Sequence, residues 1–199
     1  SYFQYAAELK GEGQNEDKVA FLRSEREYYN TILVEQENKD FAYIILRQFL
    51  FDAFHKLLME ELVNSKDTTI AAIATKSLKE SKYHLRFSSE WMKRLGDGTE
   101  ESHRRAQTAL SDLYVFCHEL FDETAVELKM KEAGIGADLK KIERLYWPFI
   151  HKEIAEARLQ IPEAAPRIAR GKQGLHSEKL GYILSDLQYM QRAYPNLEW

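Results

Sequence analysis

Two helical segments joined by a short turn constrain this chain more than any other feature of its sequence. In the first, Phe41, Ile45, Gln48, Asp52, His55, Met59 and Leu62 recur at steps of four and three. In the second, Ile70, Ile73, Ser77, Glu80, His84, Phe87 and Trp91 recur at steps of three and four. Each spacing puts its set on one face of an α-helix. The connection Asn64-Ser65-Lys66-Asp67 is so short that helices over about 40–63 and 67–95 must be antiparallel neighbours. Asp40 caps the first, and Asp67 or Ser65 the second. Counted outward from the turn, Asp52 and His55 fall level with Ser77 and Glu80, and His84 lies opposite Gln48 and Asp52.

A core stripe interrupted by Asp, His, Glu and His is a metal site, the relic of one, or a buried polar network. Di-metal bundle proteins draw a Glu from each of two helices and a Glu-x-x-His pair from each of two others, because three-residue spacing aims carboxylate and imidazole the same way. Asp52-Ala53-Phe54-His55 has that spacing, with the shorter acid. In the second helix Glu80 is four residues before His84, and Ser81 occupies the three-back position. One correct and one displaced pair favour a hydrogen-bonded network around Gln48, Asp52, His55, Ser77, Glu80, Ser81 and His84. Its members must then satisfy one another, since a buried polar group left unpaired costs roughly 1–3 kcal/mol.

The remainder also reads as helix. Ser1 to Leu9 has the pattern of a helix's last turns, stopped by Lys10-Gly11, so an N-terminal helical region is expected to be missing. A polar loop over 12–18 leads to a short amphipathic helix within 17–29, around Val19, Phe21, Leu22 and Tyr28, and 32–38 is a connector. Thr99 caps a third long helix with the stripe Ala106, Ala109, Leu113, Phe116 and Leu120, continuing over 122–133. Another spans 138–159, where Pro148 is expected to kink or split it. The last helix, 177–194, starts at a Ser177 cap and turns Leu180, Leu184, Leu187 and Met190 or Gln191 inward. The expected fold is an all-α helical bundle forming one domain over 1–199.

Composition narrows the function. The formal net charge of -4 argues against a nucleic-acid partner. No apolar run approaches the roughly 20 residues of a membrane span, and the single cysteine, Cys117, excludes an intrachain disulfide and suits a reducing cytoplasm. Cys117 lies on an apolar face and reads as core filler. Aromatic residues make up 12% of the chain, among them Trp91, Tyr114, Trp147, Tyr182, Tyr189 and Trp199; most are expected in the core and the rest at an interface. A nucleophilic triad, a dinucleotide fingerprint and a zinc array are missing. Between 160 and 176 runs a loop with two prolines and the basic residues Arg167, Arg170 and Lys172, a candidate anion contact ahead of a helix N-terminus.

Several blocks resemble the PaaC family, the C-subunits of phenylacetyl-CoA 1,2-epoxidase. They are Asp52 to His55, Leu78 to Phe87, Arg94 to Thr99 and Glu119 to Asp122, then Gly171-Lys172-Gln173-Gly174-Leu175-His176-Ser177-Glu178 and Leu187 to Arg192. The resemblance covers nearly the whole chain, and the last two blocks are specific. It implies a ferritin-like bundle, here without the family's N-terminal helices and with extra C-terminal ones. It also implies a cytoplasmic, structural, non-catalytic subunit paired with the di-iron catalytic A-subunit of a bacterial multicomponent oxygenase. In that complex a separate reductase, with FAD and an iron–sulfur centre, passes electrons from NADPH, and phenylacetyl-CoA is epoxidised with O2 in aerobic phenylacetate catabolism. The chain itself is then expected to bind no cofactor. The catalytic partner's Lys-Glu-Glu-x-x-His ligand stretch is similar to Lys79-Glu80-Ser81-Lys82-Tyr83-His84, with Ser81 standing where the ligand carboxylate belongs. Two further expectations stand beside this one: a di-metal oxidoreductase in its own right, and contact of the 167–176 loop with coenzyme A phosphates.

Overall fold

The computed structural model describes residues 2–163 and 165–195; Trp199 and the first residue of the expected N-terminal helix end lie outside them. Eight α-helices are found among the described residues: α1 (Tyr2–Lys10), α2 (Glu16–Phe21), α3 (Phe41–Leu62), α4 (Thr68–Gly96), α5 (Glu100–Tyr114), α6 (Ala125–Glu132), α7 (Leu139–Glu156) and α8 (Glu178–Ala193). Short 3-10 turns supplement them, and extended pairing among the described residues is limited to one antiparallel bridge between Arg170 and Leu175.

The hairpin α3–α4 is the centre of the molecule. Asp40 accepts from the Tyr43 amide at 2.8 Å, and Asp67 from the amides of Thr69 and Ile70 at 2.9 Å, so both helices start where capping chemistry demands. α3 buries Tyr43, Ile45, Leu46, Phe49, Leu50, Ala53 and Phe54, which point to several sides. A helix apolar nearly all round must be enclosed by others, and α4, α5 and α7 enclose it. Tyr146 of α7 is fully buried, stacks edge-on to Phe121 with centroids 5.0 Å apart, and donates its hydroxyl to the Leu50 carbonyl at 3.0 Å. Cys117 is buried in the same cluster, where desolvation pushes its thiol up to about 12, consistent with core filling.

Several boundaries differ from the sequence expectation, each for a physical reason. The expected 17–29 helix shrinks to Glu16–Phe21, because Ser24 and Glu27 close a capping box around a separate 3-10 turn. The long 99–133 helix breaks after Tyr114 into a 3-10 turn, Cys117–Phe121, and α6 restarts at its own capping box, Thr124 with Glu127. α7 continues without a break through Pro148, which lies on the exposed side of the helix, where the loss of one backbone donor costs least. Leu187 and Met190 of α8 are exposed, and the buried face is Leu180, Leu184 and Gln188. Ser177 stands at the N-cap of α8 but gives its hydroxyl to Glu35 instead of capping. The N-terminal expectation at Gly11 holds: it takes φ 64° and donates to Ala7 at 3.0 Å as α1 ends.

Candidate functional site

The polar insertions of α3 and α4 do meet, in a register different from the counted one. Asp52 lies level with Ser88, not with Ser77 and Glu80: its Oδ2 accepts from Ser88 Oγ at 2.9 Å, and its Oδ1 from Gln48 Nε2 at 2.5 Å. His55 Nδ1 pairs with Ser81 Oγ at 3.1 Å, and Ser81 also donates to the Ser77 carbonyl at 3.0 Å. One hydroxyl proton cannot serve both contacts, so with Ser81 donating to Ser77, His55 donates through Nδ1–H. The buried face of α4 is Ala74, Ser81, Leu85, Ser88, Ser89, Met92 and Gly96. It is rotated by about one residue from the Ile70-to-Trp91 stripe, which puts Glu80 and His84 on the exposed side.

Electrostatics follow from this burial. Asp52 is 3% exposed, and desolvation raises its pKa against the opposing pull of Ser88, Gln48 and the neighbouring His84. His55 is shifted the other way, downward, first by desolvation and then by His84. A histidine whose folded pKa lies below its ordinary 6.5 resists protonation in the native state, so stability is lost as pH falls below that value. Urea unfolding of the wild type should therefore weaken on acidification from about pH 7 to about pH 5.5, and His55→Asn should show a smaller slope. Asp52 acts in the opposite sense, since protonating a buried carboxylate relieves its desolvation.

A metal ion shared by these helices needs several imidazole or carboxylate donors aimed at one point. Asp52 has both oxygens committed, Ser81 offers a neutral hydroxyl, and Glu80 points to the exposed side. Among the described residues no three His, Cys, Asp or Glu side chains are grouped so that they could hold one ion. The residues present do not fit a di-metal centre. Ser81-x-x-His84 and Asp52-x-x-His55 share the three-residue spacing of such a centre in the sequence, but Ser81 carries a hydroxyl and His84 lies on the exposed side.

In the basic loop, Lys172 is not available to an anion. Its side chain is 11% exposed, and its ammonium bonds Glu127 at 2.7 Å and donates to the Asp122 carbonyl at 2.5 Å. Arg167 lies over the Phe116 ring at 5.6 Å and, with Arg170, lines a cleft walled by Ile32, Gln36 and Phe116. Residues not singled out in the sequence complete this region. Glu119 and Glu35, 3% and 1% exposed, tie the C-terminal loop to segment 28–36. Their signal is an acid inside an apolar run, Ile32-Leu33-Val34-Glu35 and Cys117-His118-Glu119-Leu120-Phe121.

Comparison with known proteins adds two findings. The family described as phenylacetic acid catabolic protein matches residues 1–199. The C-subunit of 1,2-phenylacetyl-CoA epoxidase from Escherichia coli (strain K12) is 42% identical over 199 residues, all of this chain and 80% of that protein. No helix of the described residues is long and apolar enough to cross a membrane. With the match running the length of the chain and the all-α bundle agreeing with it, the chain belongs to the phenylacetic acid catabolic protein family and shares its ferritin-like fold.

Proposed function

We infer that this chain is a non-catalytic subunit of a phenylacetyl-CoA epoxidase complex, pairing with and supporting a di-iron catalytic partner in phenylacetate catabolism. The likeness to the C-subunit of such an epoxidase supports the complex. The observation that carries the non-catalytic role is Ser81: the buried residue facing His55, at the place of a Glu-x-x-His carboxylate, is a hydroxyl. Around it both oxygens of Asp52 accept from Gln48 and Ser88, so its hydrogen bonds are made within the hairpin. On this reading iron belongs to the partner, and NADPH, FAD and an iron–sulfur centre to a reductase. Arg167 and Arg170, which line one cleft, are the remaining positions for a coenzyme A phosphate held mainly by the partner.

Coexpression with a catalytic homologue from the same family tests the role. The two chains should copurify through size exclusion, and iron should follow the partner after the subunits are separated. Stoichiometric iron retained by this chain would favour the competing assignment, a di-metal oxidoreductase built on Asp52, His55, Glu80 and His84 with further ligands from an N-terminal helical region. Replacing His55 and His84 by Ala would then abolish both metal and activity.

A further inference from the structure

The Ile70-to-Trp91 stripe of α4 has helical period and is rich in large apolar residues, yet the helix turns a neighbouring face inward. Ile70, Ile73, Ser77, Glu80, His84, Phe87 and Trp91 recur at alternating steps of three and four, and none of them is buried. A matching stripe runs along α3. Ile44, Gln48, Phe51, His55, Leu58 and Leu62 recur at alternating steps of four and three, and again none is buried. Phe41, Ile44 and Phe87 are 49%, 37% and 43% exposed. Both repeats average 3.5 residues, the period that keeps an apolar seam facing another helix.

The two stripes lie side by side. His55, within the first, is 3.1 Å from Ser81, and Phe41 meets Trp91 edge-on with centroids 5.1 Å apart. Asp52 on α3 and Ser81 and Ser88 on α4 make the seam between the helices, and the faces covered by α5 and α7 lie beyond it. Both stripes are therefore set to the other side of that seam, where they form one apolar groove. It runs the 22 residues of α3, about 33 Å. A polar row of Gln48, His55, Ser77, Glu80 and His84 crosses its middle. At the end next to the turn lies α1, where Tyr2 donates to the Met59 sulfur at 3.6 Å and Tyr5 to Asp67 at 2.6 Å. From Tyr5 back to Tyr2 the helix passes from the level of the turn to that of Met59, so its N-terminal direction points along the groove.

We propose that this groove seats an amphipathic helical hairpin of the same polypeptide, joined through α1 and closing α3 and α4 into a four-helix bundle. The direction of α1 favours this occupant over a second copy or another protein, because a helix continued backward from Tyr2 runs straight into the groove. Length favours it too. The 199 matched residues are 80% of the Escherichia coli relative, which leaves about 50, enough for two helices as long as the 22-residue α3 and a turn. The hairpin must carry apolar residues at a spacing of 3.5 toward both ends and polar ones in the middle, opposite Gln48, His55, Glu80 and His84.

Hydroxyl-radical footprinting of the 199-residue chain beside the full polypeptide of its natural gene tests this. Oxidation of Phe51, Phe87 and Trp91 should be several-fold slower in the longer polypeptide, while Tyr182 on the outer side of α8 reacts alike in both. Supplied as a separate peptide, the segment ahead of residue 1 should protect the same residues of the 199-residue chain. Phe87→Lys, at an exposed position that the fold tolerates, should abolish that protection, and Tyr182→Lys should not. A natural polypeptide with nothing ahead of residue 1 overturns the proposal, as does one in which Phe87 and Trp91 react as fast as in the 199-residue chain. Protection that instead grows with the concentration of the 199-residue chain alone overturns it in favour of a second copy.

Discussion

Tyr146→Ala is expected to be the most destabilising single substitution of the central bundle, at about 3–5 kcal/mol. The ring is fully buried where α7 meets α3 and the 3-10 turn after α5, packed against Phe121 and Trp147 at centroid distances of 5.0 and 5.2 Å. Truncation removes those contacts, leaves a cavity that three rigid elements cannot collapse into, and strips the Leu50 carbonyl of its extra donor. A domain of this size has about 5–15 kcal/mol of total stability, so the variant should unfold at markedly lower urea concentration. Tyr146→Phe separates the two contributions. It keeps the packing and loses one buried hydrogen bond, for about 1 kcal/mol. Equal losses in the two variants would mean that the hydroxyl, and not the ring, holds the α3–α7 contact.

Glu119→Ala comes next, at about 2–5 kcal/mol. Glu119 Oε2 accepts from the Ile32 amide at 2.6 Å, and Oε1 from the Lys172 amide at 3.2 Å. One buried carboxylate thus serves the opening amides of two short 3-10 helices, Ile32–Glu35 and Gly171–Gln173, where no intrahelical acceptor is available. Burial raises its pKa, while the amides of Ile32, Lys172 and Gly171 pull it back down. Removing the group orphans these donors together. Glu119→Gln keeps one acceptor oxygen and should lose less. The effect should be local as well as global, with amide protection falling first around 30–33 and 170–173. Protection lost uniformly, with those segments no worse than α4, would contradict this account of how the loop is held.

The helical hairpin was the most legible part of the sequence, and for a definite reason. Capping at Asp40, Asp67 and Thr99 and apolar periodicity are local, so they fix element type and approximate ends. Which face of α4 is buried was not local. Both the Ile70-to-Trp91 stripe and the Ala74-to-Gly96 face have helical period, and the small residues Ser81, Ser88 and Ser89 carry no hydrophobic signal. They are chosen because α4 packs closely on α3, and that one-residue rotation moved Glu80 and His84 from the expected centre to the exposed side. Asp52, His55 and Ser81 remained, so the core of the network was readable and its acidic complement was not.

The C-terminal region was the least legible. His176 and Glu35 are 141 positions apart, and Glu119 joins Ile32 to Lys172 across separations of 87 and 53. No window of sequence contains such pairs. The same loop misled the reading of Lys172, because a basic residue beside glycines looks like an anion contact until the carbonyl of Asp122 and the carboxylate of Glu127 are seen around it. Ser177 was placed correctly as the residue before α8, but its hydroxyl turns to donate to the carboxylate of Glu35 and makes no side-chain capping bond.

The central claim is that the polar centre of α3 and α4 is a self-satisfied relic and that the complex keeps its chemistry in another chain. Iron quantification on the separated subunits of the copurified complex tests it most directly. The account predicts iron in the catalytic partner and only trace iron in this chain. Stoichiometric iron in this chain, lost on replacing His55 and His84, would contradict it.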